Sequence, residues 1–393
     1  MKTLFVTATA QTLANYHTIW HLANHKTDID HIVIISTEFS RKKNFVKHLT
    51  DLLQNNQQFQ YSFVIQELFL PNGIEENDVF AIKSCIQDWL QHNKPKSVIF
   101  NVTGGTKLIS IAQDQIALEY PNNIECLYQN MQGEIVWYAR NNPDLRVFKI
   151  DRPSEIEIYM NAYGYQKVAK QTNLNKLPAR QLEYALKILT YLQNDFDKAS
   201  RFISFLNACC ASHTTNDYPY TVKIEPRHLK FYQNWLIDLS QLSEPFMVYD
   251  DQTQQLTIDN EDDLTFIMGN WFEVLTGYQY LMAHLQKGMK LEIHASVDYT
   301  FNESPNEIDI AFVKDGYFHY VECKTVKWKD DTTTVNRNVS HLDSTGEVAG
   351  LGSKKTLVSL YPLPHKAKIN AQNKDIYIIE GKQILDLNQY LTD

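Results

Sequence analysis

Near the N-terminus, uninterrupted apolar runs rich in β-branched residues, Ile32-Val33-Ile34-Ile35 and Val98-Ile99-Phe100, alternate with stretches of helical period. A strand with no polar alternation must be covered on both faces. Covering both faces calls for crossover helices, so the pattern predicts a mainly parallel, doubly wound α/β sheet. The spacing places strands at 3–7, 31–36, 61–67 and 97–102, with helices at 13–25, 42–54 and 77–92. Sheets of this kind bind ligands just beyond the C-terminal ends of their strands.

Two loops fall there. The first runs Thr7-Ala8-Thr9-Ala10-Gln11-Thr12-Leu13-Ala14-Asn15, small and polar, into a helix whose free amides can meet an anion. The second, Asn101-Val102-Thr103-Gly104-Gly105-Thr106-Lys107-Leu108, has two glycines that let a ligand approach the backbone. It lacks the first glycine and the Gly-Lys-Thr order of a Walker phosphate loop, and no G-x-G-x-x-G follows the first strand, which excludes a dinucleotide-dependent dehydrogenase. Helix capping is the alternative role for Thr103 or Thr106. Ser36-Thr37-Glu38, after the second strand, offers a third edge for a pocket.

At the other end, Asn306-Glu307-Ile308-Asp309 and Val321-Glu322-Cys323-Lys324 flank Lys314-Asp315-Gly316-Tyr317, whose Asp-Gly favours a tight turn between strands. Alternation along a strand turns Glu322 and Lys324 to one face, and Val321 and Cys323 to the other. With Asp309 facing the same surface, carboxylate oxygens gather beside an ammonium, a set suited to Mg²⁺ or Mn²⁺. Such an ion lowers the pKa of a bound water, and Lys324 can stabilise developing phosphorane charge. Glu273, in the helical stretch 269–275, supplies a third carboxylate.

Composition restricts the partners. The chain has 37 basic and 46 acidic residues, a net charge of −9, so contact with nucleic acid must be local rather than through a basic coat. Residues 348–374 form a local exception, carrying Lys354, Lys355, Lys366 and Lys368 and no acid. Gly350-Leu351-Gly352-Ser353-Lys354 reads as a turn opening a helix, with Lys354 and Lys355 meeting a substrate backbone. Five scattered cysteines without a C-x-x-C pair, a strand-like start and no signal peptide predict a reducing cytoplasm, and no apolar run spans a bilayer. His17 and His21, an i, i+4 pair without a third ligand, read as helix surface. Aromatics Tyr191, Phe202, Phe205 and Trp235 read as core between helices at 177–192, 202–210 and 228–239.

The hairpin, with Asp309 as the acid and Glu322-Cys323-Lys324 as its ExK element, resembles the PD-(D/E)xK nuclease superfamily. The loop Asn101–Lys107 resembles that of the CRISPR-associated Rossmann-fold (CARF) sensors. Together they resemble the sensor-nuclease effectors of type III CRISPR immunity. The resemblance implies an N-terminal Rossmann-like CARF domain at 1–150, a helical linker at 151–263 and a restriction-endonuclease-like α/β domain at 264–393. It implies a pocket for cyclic oligoadenylate, cyclic tetra-adenylate by expectation, from Thr9, Ala10, Gln11, Thr12, Asn15, Ser36, Thr37, Thr103, Gly104, Gly105, Thr106 and Lys107. A cyclic ligand spanning two chains implies a homodimer. It further implies a metal held by Glu273, Asp309 and Glu322, and DNA or single-stranded RNA as substrate. A nucleotide-sensing DNA-binding regulator would need a basic recognition helix, which is not evident. A ring nuclease degrading its own ligand would leave the hairpin merely structural.

Overall fold

The computed structural model describes residues 1–25, 29–55, 59, 62–71, 78–120, 122–130, 133–139, 142–211, 217–301, 303–328, 332–348 and 352–390. The chain divides into two compact units, residues 1–166 and residues 167–348 with 352–393.

The first unit runs β1 (Lys2–Thr7), α1 (Thr12–Asn24), β2 (His31–Ser36), α2 (Glu38–Lys42), α3 (Phe45–Asn55), β3 (Val64–Phe69), α4 (Val79–Asn93), β4 (Ser97–Asn101), α5 (Lys107–Glu119), β5 (Ile124–Gln129), β6 (Glu134–Ala139), β7 (Asn142–Lys149) and α6 (Ile156–Asn161). Its sheet has the order β3-β2-β1-β4-β5-β6-β7. The first five of these strands are mutually parallel, and β6 and β7 add antiparallel. The order reverses direction between β1 and β4, so the loops after these two strands open side by side.

The apolar runs serve both faces. Phe5, Val33, Ile35 and Phe100 pack with Ile82, Ile86 and Trp89 of α4 and Ile109 and Ile116 of α5. Leu4, Val6, Ile32 and Ile34 are equally buried on the other side. The Phe5 ring meets Trp89 edge-on at 5.0 Å. Truncating a fully enclosed ring such as Phe100 would cost about 3–5 kcal/mol.

Two expectations change here. The single helix expected at 42–54 is two, α2 and α3, because Asn44 takes a left-handed φ of 61° that breaks the run. His17 and His21 are buried rather than on a helix surface. Burial, aided by Arg152, pushes the His17 imidazole down to about 3, so it sits in the core uncharged.

The second unit contains β8 (Gln166–Asn173), α7 (Ala179–Asn194), α8 (Phe196–Ala211), β9 (Tyr220–Lys223), α9 (Pro226–Ser240), β10 (Val248–Asp250), β11 (Gln255–Ile258), α10 (Glu261–Thr265) and α11 (Trp271–Gln286). Then follow β12 (Ile293–Phe301), β13 (Ser304–Lys314), β14 (Tyr317–Lys324), α12 (Thr332–Val348), β15 (Lys354–Ser359), α13 (His365–Gln372) and β16 (Ile376–Glu380). The main sheet is ordered β16-β15-β14-β13-β12-β8. Strands β12, β13 and β14 pair antiparallel, whereas β14, β15 and β16 pair parallel.

The segment read as helical connector carries α7, α8 and α9, and in addition a small antiparallel sheet ordered β10-β11-β9. Its aromatics are core as expected. Phe202 is fully buried, and Tyr191 stacks on Trp235 at 4.6 Å. These side chains share one hydrophobic cluster with α11 and the main sheet. A π-helical turn, Phe266–Asn270, leads into α11. No helix among the described residues is long and apolar enough to cross a membrane.

Candidate active site and ligand pocket

The acidic cluster forms where two strands part. The β13–β14 ladder runs from Lys314↔Tyr317 to Ile310↔Val321, around a turn whose Asp315 and Gly316 have φ of 51° and 76°. Beyond Ile310 the strands separate, and the Asp309 carboxylate takes the place of the ladder: Cys323 N–H donates to Asp309 Oδ2 at 2.7 Å. Lys324 Nζ lies 2.5 Å from Glu322 Oε1 and 3.4 Å from Asp309 Oδ2. Tyr320 Oη donates to the other Glu322 oxygen at 3.3 Å. Glu273 comes from the first turn of α11, and Ser296 Oγ of β12 donates to Glu273 Oε2 at 2.9 Å.

The local backbone is unusual at both supports. Ser296, opposite Asp309 in the β12–β13 register, has a left-handed φ of 52° inside a strand. Such conformations persist only where surroundings enforce them and concentrate at functional sites. The π-turn just before Glu273 is likewise a device found at such sites. Its Met268 carbonyl accepts a hydrogen bond from Thr325 Oγ1, which follows the ExK element.

Charge is unbalanced in the cluster. Burial, then Glu322, raises the Asp309 carboxyl to about 6 against the pull of Lys324. Burial and the neighbouring Asp309 raise Glu273 well above the ordinary carboxylate range. Burial works to lower the Lys324 ammonium, yet Asp309 and Glu322 together raise it on balance, so it stays charged. One ammonium cannot neutralise this many carboxylates, and a divalent cation with oxygen preference would. The donor set therefore fits Mg²⁺ or Mn²⁺.

The structure thus brings Asp309, Glu322 and Lys324 into contact and sets Glu273 within electrostatic reach of them, without closing the three carboxylates to a single ion-ligand spacing. It adds Glu307, which sequence reading quoted without assigning. Glu307 lies at the rim, its carboxyl raised by burial, Asp309 and Asp298, and held by the Ser296 hydroxyl. Its spacing of two from Asp309 was the available signal. Lys354 and Lys355 do not join the cluster. The expected turn lies partly outside the described residues, and Lys354 opens strand β15 rather than a helix, because 354–359 is a β-branched, apolar run laid parallel to β14. Lys354 pairs with His319, three residues short of Glu322, or about 10 Å along the strand. Lys355 Nζ is 2.7 Å from Asp343, which also takes Lys374.

In the first unit, the two loops meet through buried asparagines. Asn15 Nδ2 donates to the Thr7 carbonyl at 2.7 Å, and Asn101 Nδ2 donates to Asn15 Oδ1 at 3.0 Å. Thr103 Oγ1 donates to Asn101 Oδ1 at 2.5 Å and accepts from Gln129 N–H at 2.8 Å. Asn15 is therefore a brace under the loops, and Asn101, quoted but not selected from the sequence, is its partner. Thr9 anchors the first loop, accepting from Gln11 N–H at 3.1 Å, and its carbonyl accepts from Thr12 Oγ1 at 3.3 Å.

Of the two glycines, Gly105 is the one the backbone requires. Gly105 has a φ of 94°, and a Cβ there would sit 2.7 Å from Thr7 Cγ2; one on Gly104 would reach the Thr9 side chain at 3.2 Å. Thr106 caps α5, accepting from Ile109 N–H at 3.4 Å, which makes the capping alternative true of this residue. Ala10, Gln11, Gly105, Thr106 and Lys107 are exposed, with Lys107 at the helix N-terminus. Ser36 and Thr37 are occupied structurally: Ser36 Oγ bonds Glu67, and Thr37 caps α2 through Ser40 at 3.1 Å.

Comparison with known proteins bears on both units. The family described as Card1 CARF domain matches residues 5–151, and the Card1-like endonuclease domain matches residues 260–393. The chain joins a CARF domain to a Card1-like endonuclease domain. Protein VC1899 from Vibrio cholerae, 18% identical, superposes with a TM-score of 0.80 over 99% of this chain and 97% of that one. Can2 from Sulfobacillus thermosulfidooxidans, solved in complex with cyclic tetra-adenylate, is 19% identical and gives 0.70 over 99% and 96%. A type III CRISPR defence DNA nuclease activated by cyclic oligoadenylate, 12% identical, gives 0.53 over 93% of this chain and 46% of that chain. At these identities the likeness is one of fold. No curated protein matches the chain in sequence. The braced loops lie in the CARF domain, and the acidic cluster lies in the endonuclease domain.

Proposed function

We propose that this chain is a metal-dependent nuclease of type III CRISPR defence, switched on by cyclic oligoadenylate. The observation that carries the reading is the pairing of Asp309 and Glu322 with one ammonium, that of Lys324, with Glu273 within electrostatic reach of both Asp309 and Lys324. A divalent ion held by these carboxylates would supply an activated water and polarise the scissile phosphate. Lys324, kept charged by its neighbours, neutralises developing negative charge on the phosphoryl oxygens. Ser296 keeps the Glu273 carboxylate turned inward, and Asp309, bonded to Cys323 N–H, is fixed at the strand fork.

The sensor part is the CARF domain, with residues 1–150 as sensor, 151–263 as connector and 264–393 as nuclease. Thr9 to Thr12 and Thr103 to Lys107 form the ligand-facing loops, Asn15 holds them from below through the Thr7 carbonyl and Asn101, and Ser36 and Thr37 stand at a third edge. Exposed amides of the Gly104-Gly105 turn and the N-terminus of α5 suit a phosphodiester ring. Cyclic tetra-adenylate is the activator proposed, since its symmetry matches two copies of this pocket across a dimer axis. Binding shifts the population of nuclease-competent dimers only to the extent that the ligand prefers that state.

The deciding experiment incubates the dialysed protein with each cyclic oligoadenylate, Mn²⁺ or Mg²⁺, and labelled plasmid, single-stranded RNA and ligand together. Nucleic-acid cleavage that needs both ion and activator is expected. Consumption of the ligand alone would establish a ring nuclease instead, and ligand-dependent DNA retention without cleavage would establish a regulator.

A further inference from the structure

We propose that a cavity farther along α11 and the endonuclease sheet from the acidic cluster binds the phosphate of a single nucleotide. The cavity, about 280 Å³, is bordered by Tyr280, His284, Phe312, Lys314, His319 and Lys354. It is distinct from the acidic cluster. Strand alternation sets Phe312 and His319 on the face opposite Asp309 and Glu322. Along α11, His284 follows Glu273 by a separation of roughly 16 Å at the helical rise.

The row is built by register. Phe312 pairs with His319 across β13–β14, and His319 pairs with Lys354 across β14–β15, so ring, imidazole and ammonium stand side by side. Tyr280 and His284, a turn apart on α11, close over them, and His284 Nδ1 is fixed on the Tyr280 carbonyl at 2.7 Å. His319 stacks on Phe312 with centroids 4.5 Å apart.

The cations here are not all ion-paired among the described residues. Lys355 is neutralised by Asp343, but neither Lys314 nor Lys354 has a carboxylate at ion-pair distance. Asp375 is the one acid among the described lining residues. Burial chiefly, then Lys314, Lys354 and His284, push the His319 imidazole down to about 3, so it stands uncharged between the two ammonium groups. In a chain of net charge −9, a partly enclosed group of cations is relieved by an anion. Two ammonium groups suit the double charge of a terminal phosphate. Tyr280, Tyr377 and Tyr390 in the same lining supply aromatic surface that suits a base. The volume holds one nucleotide and excludes a duplex. This also gives the acid-free lysine run a role that the acidic cluster does not. The assignment is independent of how that cluster is read.

The test is calorimetry on tag-free full-length protein in EDTA, so that no cleavage intervenes. AMP, adenosine, inorganic phosphate, and a tetranucleotide with and without a 5′-phosphate are each titrated. The Lys314→Ala, Lys354→Ala double variant is compared with wild type, and Lys107→Ala controls for binding in the CARF domain. The expected result is phosphate-dependent binding that falls at least about tenfold in the double variant, persists in Lys107→Ala, and weakens as salt rises. Binding by the 5′-phosphorylated strand but not AMP would identify a strand end as the source; the reverse would identify a free nucleotide. Equal binding of AMP and adenosine, unchanged affinity in the double variant, or no binding by any phosphate-bearing probe would overturn the assignment.

Discussion

Without a bound cation, the carboxylate cluster should make the endonuclease domain less stable as pH rises. Asp309 is raised to about 6 from an ordinary 3.8, with burial the leading cause. A carboxyl raised in the folded state favours folding while protonated, below its unfolded value, and that contribution is lost as pH climbs through the folded value. The window is therefore between about pH 4 and 6, and the full loss is in place above it. At 1.36 kcal/mol per pH unit the gap amounts to ~3 kcal/mol for Asp309. The cluster titrates as a whole, so this figure belongs to the group rather than to one residue. About half of that loss, ~1.5 kcal/mol, falls between pH 5 and pH 8, so at about 2–4 °C per kcal/mol for a domain of this size the melting temperature should fall by roughly 3–6 °C over that range in EDTA. Asp309→Asn keeps an acceptor for Cys323 N–H and removes the charge, so its metal-free melting temperature should fall less than that of wild type over that range, the remaining slope coming from Glu273, which burial raises on its own account. Millimolar Mn²⁺ should restore wild type at pH 8, by about 2.7 kcal/mol at a hundredfold excess over Kd, and leave the variant unmoved. Scanning calorimetry of both proteins at both pH values, with and without Mn²⁺, reads all of this. A wild type equally stable at pH 5 and 8 without metal, or an Asn variant that Mn²⁺ stabilises as well as wild type, would refute the argument.

Lys324→Met should lower ligand-activated cleavage at least about a hundredfold, as expected for loss of a preorganised charge, while activator affinity by calorimetry stays unchanged. Gly105→Ala forces a Cβ to within 2.7 Å of Thr7 Cγ2 at a φ of 94°, so it should cost on the order of 1–3 kcal/mol in CARF-domain unfolding and weaken activator binding. Asn101→Ala removes the donor to Asn15 and the acceptor for Thr103, and denaturant unfolding should show a loss of roughly 1–3 kcal/mol; a neutral result would mean that the loops stand without their brace. Ser296→Ala should raise the Mn²⁺ concentration needed for half-maximal cleavage more than it lowers the saturated rate, because the hydroxyl positions Glu273 and touches no substrate.

What the sequence conveyed, and what it hid, divides along the range of the interactions involved. Ile32 to Ile35 announced a doubly covered strand because covering both faces leaves no polar position, and the Asp315-Gly316 turn announced its hairpin because few residues tolerate φ of 51° and 76° in succession. The alternation of Glu322 and Lys324 placed both on one face, and their 2.5 Å contact follows from it. None of these needs knowledge of what lies across the fold. The misplaced residues all depend on such knowledge. His17 and His21 read as surface because histidine is polar, and only the packing around α1 buries them. Ser296 carried no signal, since its φ of 52° and its bond to Glu273 arise where β12 meets the start of α11. Lys354 was drawn toward the acidic cluster by nearness in sequence and by charge. The parallel register of β15 on β14 instead ties it to His319, on the face turned away from Glu322. Short-range chemistry therefore locates the clustered carboxylates, whereas sheet register decides which of the lysines can approach them.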